Sequence, residues 1–130
     1  MKNITVVAAI IFNDNRILCV QRNINQYTYI SKKYEFPGGK IEKGESKEAA
    51  LKREITEELN IIINVKNKFM VVNHSYPDFK LTMHAYICES HSNDITLMEH
   101  INYKWLNRHE LDSLDWAEAD IPIVNKLMMQ

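Results

Sequence analysis

With 130 residues, 45% of them apolar and 25% charged, the chain can bury the core of one domain without disulfide or metal staples. A formal net charge of −1 and the lack of any Lys or Arg run argue against a nucleic-acid polymer as partner, while leaving room for a small phosphorylated ligand at a local site. No stretch approaches the roughly 18 apolar residues of a membrane helix, so the expectation is a soluble, cytoplasmic protein with no membrane partner, its oligomeric state open.

Lys2 and the apolar run Ile4–Phe12 faintly imitate a signal peptide, but the run stops at Asn13-Asp14-Asn15 and a second one, Ile17–Val20, follows at once. This pattern predicts a β-hairpin, with strands over Val6–Phe12 and Arg16–Arg22. Residues 24–34 are polar and aromatic without a clear period, which predicts a loop. Ser46–Leu59 is the best helix. Ser46 can cap it, Glu48 and Lys52 form a favourable i,i+4 pair, Leu51, Ile55 and Leu59 give it an apolar stripe, and Asn60 can end it in the left-handed conformation. From Ile61 to Cys88 the chain is rich in β-branched and aromatic residues, broken at Tyr76-Pro77-Asp78, so two long strands joined by a turn are expected. A further strand is expected at Asn102–Leu106, a short helix or turn at Asn107–Leu114, and a terminal helix at Ile121–Met129 with Pro122 tolerated in its first turn. Strands bracketing a central helix, with a second helix at the end, imply an α/β fold: one sheet sandwiched between helices, in a single domain spanning 1–130. Cys19 and Cys88 form no CxxC pattern; a disulfide stays open, and two small buried thiols in a reducing compartment are the preferred reading.

All three glycines of the chain, Gly38, Gly39 and Gly44, fall within seven residues just before the acidic helix. Such a loop is a tight turn or a cradle for a ligand. In the helix, Glu54, Glu57 and Glu58 stand at i, i+3 and i+4 and so share one face. Like charges at that spacing repel by roughly 0.2–0.5 kcal/mol per pair, and the helix dipole disfavours acids in the last turn. Arg53 offsets part of this by pairing with Glu57. A solvated acidic face and a site for a hard divalent cation both account for the cluster, and Mg²⁺ suits it because it takes a few carboxylates plus phosphate oxygens.

Loop and helix together carry a longer pattern: Gly39, five residues, Glu45, seven residues, Arg53-Glu54-Ile55, one residue, Glu57-Glu58, then Asn60-Ile61. This resembles the signature of the Nudix family. The one departure is Asn60, where the family usually has Gly, and Asn is the next-best residue for a left-handed helix end. The approach Glu35-Phe36-Pro37-Gly38-Gly39-Lys40, the position of Arg22 at the end of the second strand, and the ending Ala119-Asp120-Ile121-Pro122 are similar to the MutT-type branch, the last most of all to its CTP pyrophosphohydrolases.

The resemblance implies the Nudix fold, a mixed sheet between helices, and a role for each matching position. Glu54, Glu57, Glu58 and the Gly38 carbonyl would hold Mg²⁺ or Mn²⁺, with Glu99 as a further ligand or the general base. Arg53 would orient the carboxylates, and Glu45 would support the loop–helix junction. The substrate would meet Arg22, Phe36, Gly38, Gly39, Lys40, Tyr76 and Asp120: Arg22 as a phosphate ligand, Phe36 and Tyr76 as stacking rings or as core, Asp120 as a hydrogen-bond acceptor for the base or merely a helix cap. His74, His84, His91, His100 and His109 show no metal-ligand spacing and are read as structural or solvent-facing. The implied activity is Mg²⁺-dependent cleavage of a nucleoside triphosphate to monophosphate and pyrophosphate, with 8-oxo-dGTP, CTP or a modified dCTP as candidates. A hydrolase of dinucleotides or nucleotide sugars is the first alternative, and a non-catalytic nucleotide sensor the second.

Overall fold

The computed structural model describes Met1–Gln130. Its centre is β1 (Lys2–Asn13), which runs parallel to β6 (Phe79–Glu89) over its length, from Lys2 opposite Phe79 to Phe12 opposite Glu89. On its other side β1 meets two antiparallel partners in succession: β4 (Gly38–Lys40) against Val6–Ala8 and β2 (Arg16–Gln21) at the hairpin end. β2 continues the sheet to the two-residue β3 (Tyr34–Glu35) and to β7 (Asn102–Leu106), while β5 (Asn64–Ser75) closes the far edge against β6. Parallel and antiparallel pairs thus form one mixed seven-stranded sheet.

Both faces of this sheet are covered, which explains why β1 and β2 read as unbroken apolar runs. Along β1 the side chains alternate. Val7, Ala9 and Ile11 enter a core with Leu51, Ile55 and Leu59 of α1 (Lys47–Leu59), whereas Ala8 and Ile10 enter the opposite core with Ile123, Val124 and Leu127 of α2 (Ile121–Met128). Leu51, Ile55 and Leu59 are fully buried, each stabilising the helix on the sheet by about 1.5–3 kcal/mol. Ser46 Oγ accepts the Ala49 amide at 3.1 Å and starts α1; Asn60, at φ 53° and ψ 41°, ends it and returns its amide to the Thr56 carbonyl.

The sheet is larger than the sequence pattern suggests. β1 begins at Lys2 instead of Val6, because β6 offers a parallel ladder to residues with no apolar alternation of their own. β3 and β4 were not anticipated, being too short for any periodicity and defined only by their partners. Residues 24–33 do form the expected loop, and a 3-10 turn at Arg108–Ser113 takes the place foreseen for a short helix. Cys19 and Cys88 are free thiols, each buried. No helix is long and apolar enough to cross a membrane.

Gly38 shows how tightly β4 is held. A Cβ there would lie 1.9 Å from the Val7 carbonyl oxygen of β1. Gly38→Ala is therefore expected to pry the two strands apart at a cost of about 3 kcal/mol, the upper end for overpacking. A thermal melt should show Tm falling by about 10 °C, and an unchanged melt would mean that this strand contact contributes little.

Candidate active site

The loop between β4 and α1 is built around Arg53. Its Nε donates to Glu45 Oε2 at 2.7 Å and its Nη2 to Glu45 Oε1 at 3.0 Å, a bidentate pair that ties the helix back to the loop. Nη2 also donates to the Lys40 carbonyl at 3.1 Å, and Nη1 reaches Glu54 at 3.0 Å and Glu57 at 3.3 Å. Glu45 Oε1 accepts the Glu42 amide as well, so this carboxylate sits at the loop–helix junction. The Arg53 hydrogen bond, above all, holds its carboxyl below the usual range.

The three acids on the helix face differ in environment. Glu57 is outermost, its side chain 60% exposed, while that of Glu54 is 16% exposed. Glu54 lies against the glycine loop: a Cβ on Gly39 would fall 2.5 Å from its carboxyl carbon, so only glycine leaves the backbone this close. Glu58 is buried, and its Oε2 has no hydrogen-bond partner. Burial first, then the bond to Glu54 and the charges of Glu54, Glu35 and Glu99, push its carboxyl from 4.5 up to about 9.

Glu58 faces a cavity of about 410 Å³. Of the positions singled out in the sequence, Arg22, Phe36, Gly38, Gly39, Lys40, Tyr76, Glu99 and Asp120 all line it. Arg53, Glu54 and Glu57 of α1 and Glu45 of the loop before it do not line it. Two further residues were not foreseen as site residues. Glu35 and His100 both line the cavity, with His100 Nε2 2.9 Å from Glu35 Oε2. A lone His carries no spacing signal, but its position directly after Glu99 was the available hint. His100 is not solvent-facing: its side chain is 7% exposed.

Three details bear on the alternatives that the sequence leaves open for Phe36, Tyr76 and Asp120. Phe36 is 2% exposed and stacked on Trp116, with centroids 4.7 Å apart. Tyr76 is 5% exposed, stacked on Tyr29, and its hydroxyl accepts the Ala119 amide at 3.0 Å. Neither ring has an open face for a base, so they contribute walls. Asp120 does not cap α2 with its side chain; its Oδ1 accepts the Phe36 amide at 3.0 Å across the cavity floor. Complete burial, reinforced by the charge of Glu35, raises its carboxyl well above the ordinary 3.8. That shift favours the protonated form, which can donate as well as accept, whereas an ionised carboxylate only accepts.

The donor set suits a hard cation. All its members are oxygens, one of them a buried carboxylate oxygen without a partner, and the glycine loop leaves the backbone against Glu54. As the side chains stand, no three of the chain's His, Cys, Asp or Glu groups converge closely enough to hold a metal ion by themselves.

The protonated carboxyls make a testable statement about pH. Above about 4.5 the unfolded chain releases the Glu58 proton, while the folded chain holds it up to about 9. Folding therefore takes up a proton in this window, and this part of the stability is full below it and lost as pH rises through it. Thermal melts in EDTA are expected to show Tm falling between about pH 5 and pH 9. A Tm rising over that interval would contradict the neutral form of Glu58.

Comparison with known proteins places the chain in a family. A family model described as the NUDIX domain matches residues 6–126. The chain is 30% identical to the 8-oxo-dGTP diphosphatase of Escherichia coli K12, over 98% of both chains. It is 34% identical to the CTP pyrophosphohydrolase of the same organism, over 98% of this chain and 93% of the relative. Among solved structures, the MutT protein of methicillin-resistant Staphylococcus aureus, a Nudix-family hydrolase, superposes with a TM-score of 0.75 at 44% identity, covering 99% of this chain and 98% of its own.

Proposed function

The chain belongs to the Nudix hydrolase family, in its MutT-like branch, and from that premise we propose that it cleaves a nucleoside triphosphate to the monophosphate and pyrophosphate with the help of Mg²⁺. The observation that carries the reading is Glu58: a buried carboxyl with one partnerless oxygen, facing a cavity that also holds Arg22. Glu54, Glu57, Glu58 and the Gly38 carbonyl are the groups that would hold the cation, with Mn²⁺ as a substitute. When bound, the cation neutralises phosphate charge and acidifies the attacking water.

The chain's own residues do the rest. Arg53 fixes Glu54 and Glu57 and, through Glu45, the loop that carries the glycines. Arg22, Lys40 and the backbone of Gly38 and Gly39 line the cavity where the phosphates lie. Glu99, next to Met98 whose amide donates to the Glu58 carbonyl, either completes the oxygen set or accepts the proton of the water. Water adds to one phosphorus of the α–β anhydride, the bridging oxygen departs with its electron pair, and the water's second proton passes to the site's base or to solvent.

Asp120 offers a partner for the base. Its raised carboxyl favours the protonated form, which presents one donor and one acceptor. Cytosine offers the complementary pair, its N4 amino group and N3, and 8-oxoguanine does so with its N7–H and O6. The major-groove edge of ordinary guanine has two acceptors and leaves the acceptor of Asp120 unpaired. On its other edge guanine offers the same kind of pair, O6 and N1–H, so the preference for 8-oxo-dGTP, CTP or a modified dCTP over dGTP rests on the names of the two Escherichia coli relatives.

The test is a turnover panel with Mg²⁺: 8-oxo-dGTP, dGTP, CTP, 5-methyl-dCTP, ADP-ribose and diadenosine polyphosphates. One of the first group should lead dGTP, ADP-ribose and the dinucleotides in kcat/KM by about tenfold or more, the scale of one well-placed hydrogen bond. A lead for ADP-ribose or a dinucleotide would overturn the triphosphate reading.

A further inference from the structure

A second charged network lies in the cavity wall, away from the acidic helix. Arg22 follows the end of β2, Glu35 is the second residue of β3, and His100 stands in the segment before β7. Glu35 divides its oxygens between the other two: Oε1 accepts from Arg22 Nη1 at 3.2 Å, and Oε2 meets His100 Nε2 at 2.9 Å. In this pair the Glu35 oxygen accepts and His100 donates from Nε2, which leaves Nδ1 as the ring's other polar atom. That Nδ1 is buried without a partner. An unpaired buried polar atom is destabilising, so the ring is poorly explained as a stabilising element of the core; what it supplies is the donor for Glu35.

Arg22 needs such support. Its side chain is 37% exposed, and Glu35 is its one hydrogen-bonded partner. A long cation held by one carboxylate is fixed only as well as that carboxylate is fixed. Glu35 in turn shares the cavity with the carboxyl groups of Glu58, Glu99 and Asp120, none of which can anchor it, so its place depends on the donors it holds. The backbone braces the arrangement at one point, where the Ile101 amide donates to the Gln21 carbonyl at 3.0 Å and sets His100 beside the end of β2.

We propose that His100 is a positioning residue: by holding Glu35 it fixes the Arg22 guanidinium in the cavity for the phosphates of the substrate. The inference rests on the assignment of Arg22 as a phosphate ligand. His100 touches no reacting atom; it acts through Glu35.

Two measurements on the intact chain test it. In ¹⁵N spectra of the arginine side chains, without nucleotide, the Arg22 guanidinium should show hindered rotation. His100→Ala should release it, and His100→Gln, whose amide N–H can reach Glu35, should restore it. Unchanged Arg22 signals in His100→Ala would overturn the proposal whether or not any nucleotide is hydrolysed. The second measurement is a double-mutant cycle on KM, using the best triphosphate of the panel. Arg22→Ala and His100→Ala should each raise KM about tenfold, and His100→Ala should add less than about twofold once Arg22 is gone. Full additivity would overturn the relay while leaving Arg22 as a phosphate ligand. A normal KM in Arg22→Ala would remove the assignment beneath the proposal, and the proposal with it.

Discussion

Glu58→Gln should lower kcat by at least about 10²–10³-fold, the range for losing one preorganised electrostatic group, while leaving a protein that folds at least as well in EDTA. The two effects have one origin. Glu58 is the most buried of the helix acids, and that burial, followed by its neighbours Glu54, Glu35 and Glu99, pushes its carboxyl to about 9. Glutamine keeps the shape and removes the charge that burial penalises, so the metal-free fold has nothing to lose. It also removes the anionic oxygen that a divalent cation would take up at that point. A corresponding loss of Mn²⁺ binding, followed by the Mn²⁺ resonance signal without nucleotide, should accompany the loss of turnover. Retained Mn²⁺ binding together with full turnover would show that the cation lies elsewhere.

At Asp120 the expected result depends on pH. In the wild type kcat/KM should fall as pH rises, because recognition of the base uses the protonated acid and its raised carboxyl ionises on that side. Asp120→Asn keeps an acceptor for the Phe36 amide and carries a permanent donor, so it should retain turnover and lose this pH dependence. Asp120→Ala leaves the Phe36 amide unpaired and removes both base contacts, with kcat/KM down about 10²-fold, the worth of one or two hydrogen bonds to a buried polar group. Should Asp120→Asn instead behave like Asp120→Ala, the acid would act as an ionised acceptor, and a donor on the base would be its only partner.

Much of the site is local in sequence, and those parts are readable there. Helix α1 declares itself by Ser46, by the Leu51–Ile55–Leu59 stripe and by Asn60, because capping and periodicity operate within a few residues. The acids and Arg53 lie on the same turn and need only the helical period to be placed together. The parts that escaped are made by tertiary contact. β3 and β4 have too few residues to show a period. His100 meets Glu35 across 65 residues and Asp120 meets Phe36 across 84, so no window of the sequence contains either pair. The protonated state of Asp120 follows from complete burial, which the flanking Ala119 and Ile121 hint at but cannot fix. Phe36 and Tyr76 were open between stacking rings and core; Trp116 and Tyr29, distant in sequence, cover the faces that stacking would need.

The central claim is cleavage of the α–β anhydride under control of the helix acids. Phosphorus NMR of the products addresses it most directly, with purified protein, the best triphosphate of the panel and Mg²⁺, run beside an EDTA control. Nucleoside monophosphate and pyrophosphate in equal amounts, appearing only with the cation, are the predicted result. Nucleoside diphosphate and orthophosphate, or equal turnover in EDTA, would contradict the account.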